Sequence, residues 1–348
     1  MRIRVGLVAL GGLSLLSGLN AALLLLGVWA PIQSDRLADV HGPVMVLGFL
    51  GTLIAIERAQ ALRRTWAYLA PLLLGLGALT LVFGGPFVLG QLLLFDGAAA
   101  LALVYLFLWR RAPVGIVAVQ VLSAVVAALA SALWLRVDLP ALLPMLAAFL
   151  VLTIAAERAE LAQLALGPRA TPILVGVSTA ITLAATASLI WQDAGGRLFG
   201  ATLILTSAWL LRDDVPRRMI RADGLRRYNA AALLAGYLWM AVAGLTWVVV
   251  GVPDARPSYD MAVHGVFLGF GVSMVMAHAP IIFPAVLGRD LPYRRLFWLP
   301  LGVLHASVAV RFVGDLTGMD ALWQAGGVGG VISLLLLALS IVITAVRT

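Results

Sequence analysis

The sequence predicts an all-α integral membrane protein, a bundle of twelve transmembrane helices. Three observations predict it. Of the 348 residues, 62% are hydrophobic and only 11% are charged, against about 45–50% and about 25% in ordinary soluble domains. Mean hydropathy is +1.05, and the apolar residues fall into runs long enough to cross a bilayer. The connections between those runs alternate in charge, as loops on two sides of a membrane do.

In chain order the spans are 5–30, 41–62, 66–84, 86–109, 113–135, 139–166, 171–191, 197–211, 228–251, 260–286, 296–314 and 320–346. They are apolar runs read against the polar breaks between them. The first follows Met1-Arg-Ile-Arg without a small-residue cleavage site, so it reads as a retained span. The eighth is short. The longest polar connection, Arg212 to Arg227, has 16 residues, so the chain reads as one polytopic domain over 1–348. All 24 basic residues are arginines, and the net charge is +8. They lie at the ends of apolar runs, which makes them a topology signal and argues against nucleic acid. One set of connections holds Arg2, Arg4, Arg63, Arg64, Arg110, Arg111, Arg169, the Arg212–Arg227 group, Arg289, Arg294, Arg295 and Arg347. The other holds only Arg36, Arg136, Arg197, Arg256 and Arg311, mostly beside aspartates. The positive-inside rule then puts both termini on the cytoplasmic side of a multi-pass membrane chain.

Cysteine is absent, which excludes disulfides, thiolate-held iron–sulfur clusters, covalent c-type haem and cysteine zinc sites. A metal must be held by imidazole, carboxylate or thioether. The four histidines, His41, His264, His278 and His305, all fall in or at the edge of spans, where an ionisable group is a functional hypothesis. His41-Gly42 and His264-Gly265 both open outside-to-inside spans, at an outer level. His278 lies 14 residues beyond His264, roughly 21 Å deeper, and His305 reaches a similar inner level from the other side. Two histidine levels suit two redox centres. Bis-imidazole haem ligation by His41 and His264 would be helped by Gly42, Gly48, Gly51, Gly265, Gly269 and Gly271, which clear side chains for a flat ring or simply let helices pack. The outer arginines are candidates for haem propionates, Arg311 the best placed unless Asp315 at i+4 occupies it. For His278 and His305 a copper-type site is favoured, with one thioether from Met274 or Met276.

Two internal echoes add to this. Leu47-Gly48-Phe49 recurs as Leu268-Gly269-Phe270, and Ile56-Glu57-Arg58-Ala59 as Ala156-Glu157-Arg158-Ala159. Glu57 and Glu157 read either as helix-end anchors or as a proton entry route. Asp96, mid-span in the fourth helix near Gln91, reads as a proton or ligand group or as an inter-helix hydrogen bond.

Three stretches carry a family resemblance. His41-Gly-Pro-Val-Met-Val-Leu-Gly-Phe49, the run from His264 to His278 with Leu287-Gly288-Arg289 after it, and Leu304-His305 through Arg311 resemble NnrS-type proteins. The resemblance implies haem b and copper, a role in nitric oxide handling or associated electron transfer with a small diatomic gas or an electron donor as partner, and distant similarity to the haem–copper oxidase core. In that core the second and tenth helices carry the low-spin haem ligands, which match His41 and His264 by position. Spans six and seven contain no histidine and span ten lacks a second one two residues from the first, so oxygen reduction is disfavoured. The rival readings are a transporter for copper or a small solute and a quinol-linked cytochrome b-like subunit.

Overall fold

The structure, a computed structural model, describes residues 2–162, 167–287 and 291–346. Gly288, Arg289 and Arg347, used in the sequence reading, lie outside the described residues. Among the described residues, twelve helices are long and apolar enough to cross a membrane. They are α1 (Ile3–Leu25), α2 (Asp35–Leu62), α3 (Thr65–Val82), α4 (Phe87–Arg111), α5 (Gly115–Leu133), α6 (Leu139–Leu161), α7 (Ala170–Ile190), α8 (Gln192–Asp213), α9 (Gly224–Val250), α10 (Arg256–Ile281), α11 (Arg295–Thr317) and α12 (Asp320–Ala345). A helix satisfies its own backbone polar groups, which is why apolar runs of this length take that form in lipid.

The observed limits depart from the expected ones where charge begins a helix. α2 starts at Asp35, six residues before His41, and α8 at Gln192, five before Arg197. In both cases an arginine near the helix start reaches across to cap a neighbour. Arg36 donates to the carbonyls of Leu81 and Gly85 at 2.7 and 2.5 Å, closing the end of α3. Arg197 donates to those of Val248 and Val249 at 2.7 Å each, closing α9. The last carbonyls of a helix lack intrahelical donors, so a charge that reads as loop in the sequence is satisfied inside a helix turn. α1 ends earlier than expected. The Asn20 side chain bonds both the N–H and the C=O of Ile32 at 2.9 and 2.8 Å, and Gly27, at φ +67°, turns the chain back to meet it.

The helices divide into two compact units, Met1–Thr153 with Val286–Gly288, and Ile154–Ala285 with Arg289–Thr348. In the first, α1, α2 and α3 pack on one another, and α4 packs between α3 and α5. In the second, α8 lies between α7 and α9, α10 packs on both α9 and α11, and α11 packs along α12. α6, α10 and α2 are the most buried spans.

α2 and α10 share an uncommon feature. Within α2 the residues Val44–Gly51 form a π-helix, and within α10 the residues Gly265–Val272 do the same. Wide turns with i→i+5 bonding are rare and occur mostly as single-turn bulges, often at functional sites. Here each runs for eight residues. The repeated Leu-Gly-Phe occupies the fourth to sixth positions of both, so the sequence echo marks a structural repeat.

Candidate functional site: an anchored histidine on each wide-turn helix

His41 sits three residues before the π segment of α2, and His264 immediately before that of α10. Neither is the opening residue of its helix, as the sequence reading had it. Counted from Asp35 and Arg256, they lie roughly 9 and 12 Å into their helices.

Each ring is fixed through Nδ1. In the first unit, His41 Nδ1 is 2.9 Å from the carbonyl of Gly18 on α1. In the second, His264 Nδ1 is 3.1 Å from both the backbone and the side-chain oxygen of Asp260, one turn earlier. In a neutral imidazole an oxygen acceptor at Nδ1 takes the ring proton there, which for His264 leaves the lone pair on Nε2. Asp260 is itself held. Arg311 of α11 donates to it through Nε and Nη2, a two-pronged pair at 2.5 Å with both side chains nearly buried. Arg311 also lies over the Trp323 ring at 5.5 Å, as does Arg256 at 4.7 Å. Arg256 completes the outer edge of the cluster with Asp320 at 2.6 Å.

This arrangement bears on three expectations. The carboxylate partner of Arg311 is Asp260, 51 residues away, and not Asp315 at i+4. Among the described residues, neither oxygen of the buried Asp315 has a hydrogen-bond partner. Of the arginines expected to meet propionates, Arg36 and Arg197 cap helices, and Arg256 and Arg311 pair with aspartates. The glycines also act differently from the ring-clearing reading. A side chain on Gly48 would strike Ala78 of α3 at 2.4 Å, and one on Gly269 would strike Trp239 of α9 at 2.6 Å. These glycines are filled by neighbouring helices, the small-residue packing of membrane bundles.

The inner histidines do not form the expected pair of open ligands. Trp239 Nε1 donates to His305 Nδ1 at 3.0 Å. His305 Nε2 faces Ser273 Oγ at 3.3 Å, and that hydroxyl donates to the Ala232 carbonyl at 2.8 Å. Neutral imidazole with Nδ1 accepting and Nε2 donating has no lone pair left for a metal, so the copper reading loses this ligand. His278 Nδ1 lies 2.9 Å from the carbonyl of Met274. The Met274 methyl occupies the space that a side chain at Gly236 would take, so the thioether packs on α9. Pro280 explains a third contact here. It has no N–H for the Met276 carbonyl four residues back, and Tyr228 Oη donates to that carbonyl at 3.1 Å.

The glutamates and Asp96 resolve separately. Glu57 pairs with its neighbour Arg58 at 2.9 Å. In the second copy of that motif Arg158 bonds Asp214 at 2.9 and 3.0 Å, and Tyr237 Oη donates to the same carboxylate at 2.6 Å. Asp214 is fully buried, and sequence reasoning missed this triad because Asp213-Asp214 read as a plain inner loop. Asp96 is exposed on α4. Among the described residues, no group of three or more histidine, aspartate or glutamate side chains could hold a metal ion.

A family model described as a domain of unknown function, DUF8744, matches residues 4–346. The chain belongs to the DUF8744 family. No curated protein and no solved structure matches it. In this DUF8744 chain the match runs from the first span to the last and so includes both wide-turn helices and their histidines.

Proposed function

We propose that this protein is a haem b-binding component of the bacterial inner membrane, with both termini cytoplasmic, that serves electron transfer or nitric oxide handling, with His264 as a residue that would hold the haem. The observation that carries the reading is the Arg311–Asp260–His264 chain. Metal-ligating histidines almost always give their other ring N–H to a carboxylate or carbonyl, which fixes the tautomer and orientation and raises basicity. His264 has that arrangement with a further arginine behind it. His41, with Nδ1 at a backbone carbonyl, has the simpler form of it and is proposed as a ligand on the same ground. The resemblance of three stretches to NnrS-type proteins supports the choice of haem, and the absence of cysteine supports a non-covalent b-type group.

The residues present fit such a group by donor chemistry, since neutral imidazole nitrogen is a standard haem-iron ligand. Bound haem supplies one-electron chemistry. The chain's own part is to fix the His264 ring, to keep the Nδ1 proton on the Asp260 side, and to neutralise Asp260 with Arg311. Copper is not assigned, because His305 is fully engaged by Trp239 and Ser273.

A transporter for copper or a small solute is the second reading. The observation that favours it is the matched pair of π segments, one in each unit, since discontinuities in corresponding helices mark transport paths. An optical spectrum of the purified protein separates the two. A Soret band with sharp reduced α and β bands, lost in His264→Ala, is expected. A colourless wild-type preparation rejects haem and favours transport.

A further inference from the structure

Asp96 lies roughly 14 Å from the start of α4 and roughly 22 Å from its end, and it faces outward. Among the described residues it makes no hydrogen bond or ion pair. Gln91 does not serve it, because that side chain turns inward and donates to the Trp134 carbonyl at 2.8 Å. The exposed residues of α4 recur at helical spacing, Leu89, Leu92, Asp96, Leu103 and Phe107, and form one stripe with half-buried Ala99 and Ala100 in its middle. Ionisable groups inside membranes almost always face the bundle interior and find a partner. This chain follows the rule at Arg158 with Asp214 and at Arg311 with Asp260. An aspartate stem is also too short to carry its charge to the interface, as lysine and arginine do.

We propose that the Asp96 stripe is the docking surface for a transmembrane helix of a different protein, one that carries an arginine or lysine at mid-bilayer depth. Charge complementarity selects this occupant over a second copy of the chain. The sequence contains no lysine. Among the described residues, every exposed arginine lies in a connection or within two turns of a span end. A two-fold contact of the stripe with itself would set carboxylate against carboxylate. The alanines beside Asp96 permit close helix approach, and the leucines and Phe107 supply apolar contact on either side.

The test uses the full chain reconstituted in phosphatidylcholine vesicles with two synthetic polyleucine transmembrane peptides, one with a central arginine and one without. Each peptide carries a fluorescent acceptor for the native tryptophans. Energy transfer to the arginine peptide is expected at about ten-fold lower peptide concentration than to the leucine peptide, the size of one polar contact in a membrane. Asp96→Leu and Asp96→Asn should each erase that preference while leaving thermal unfolding unchanged. Equal association of both peptides with the wild type, or a preference that survives in Asp96→Asn, overturns the proposal. Self-association of the wild-type chain that Asp96→Leu abolishes overturns it in favour of a second copy.

Discussion

At the scale of single residues, what distinguishes His264 from His305 is which nitrogen the protein has already used. His264 spends Nδ1 on Asp260, whereas His305 spends both nitrogens, on Trp239 and Ser273. The difference predicts that Asp260→Asn weakens haem retention by about 10- to 100-fold, the usual effect of losing a ligand's supporting partner. Haem titration of the purified variant, followed at the Soret band, measures it. The histidines were legible in the sequence, because scarce imidazoles in apolar runs demand a reason. Their partners were not. Asp260 stands one turn from His264 and was within reach of sequence reasoning, but its link to Arg311 spans 51 residues and exists only in the fold.

At the scale of elements, the twelve spans were legible from hydropathy, and their starts were misjudged where arginines belong to helix turns. Arg36 and Arg197 serve carbonyls on helices some 45 to 52 residues away, which no local pattern encodes. The π segments were visible only as the Leu-Gly-Phe echo. Their glycines make close crossings, so Gly48→Val should force α2 off α3 and α1 and cost about 1–3 kcal/mol, read as a lowered thermal transition in detergent. A nearly buried ion pair joins α6 to the end of α8. Removal of one partner leaves a charge without compensation, so Asp214→Ala should cost about 3–5 kcal/mol. The Asp214→Ala, Arg158→Leu double variant should recover part of it, because the orphaned guanidinium is then gone. Denaturant unfolding of the two variants side by side checks the order.

At the scale of the whole molecule, membrane spanning follows from composition alone and the family from the match over residues 4–346, while the proposed activity rests on how two units each present an anchored imidazole. The most direct measurement is the haem content of His264→Ala and His305→Ala purified in parallel with the wild type. The account predicts haem in the wild type, its loss in His264→Ala and its retention in His305→Ala, where only hydrogen bonds among α9, α10 and α11 are broken. Full haem in His264→Ala, or none in any of the three, would contradict it.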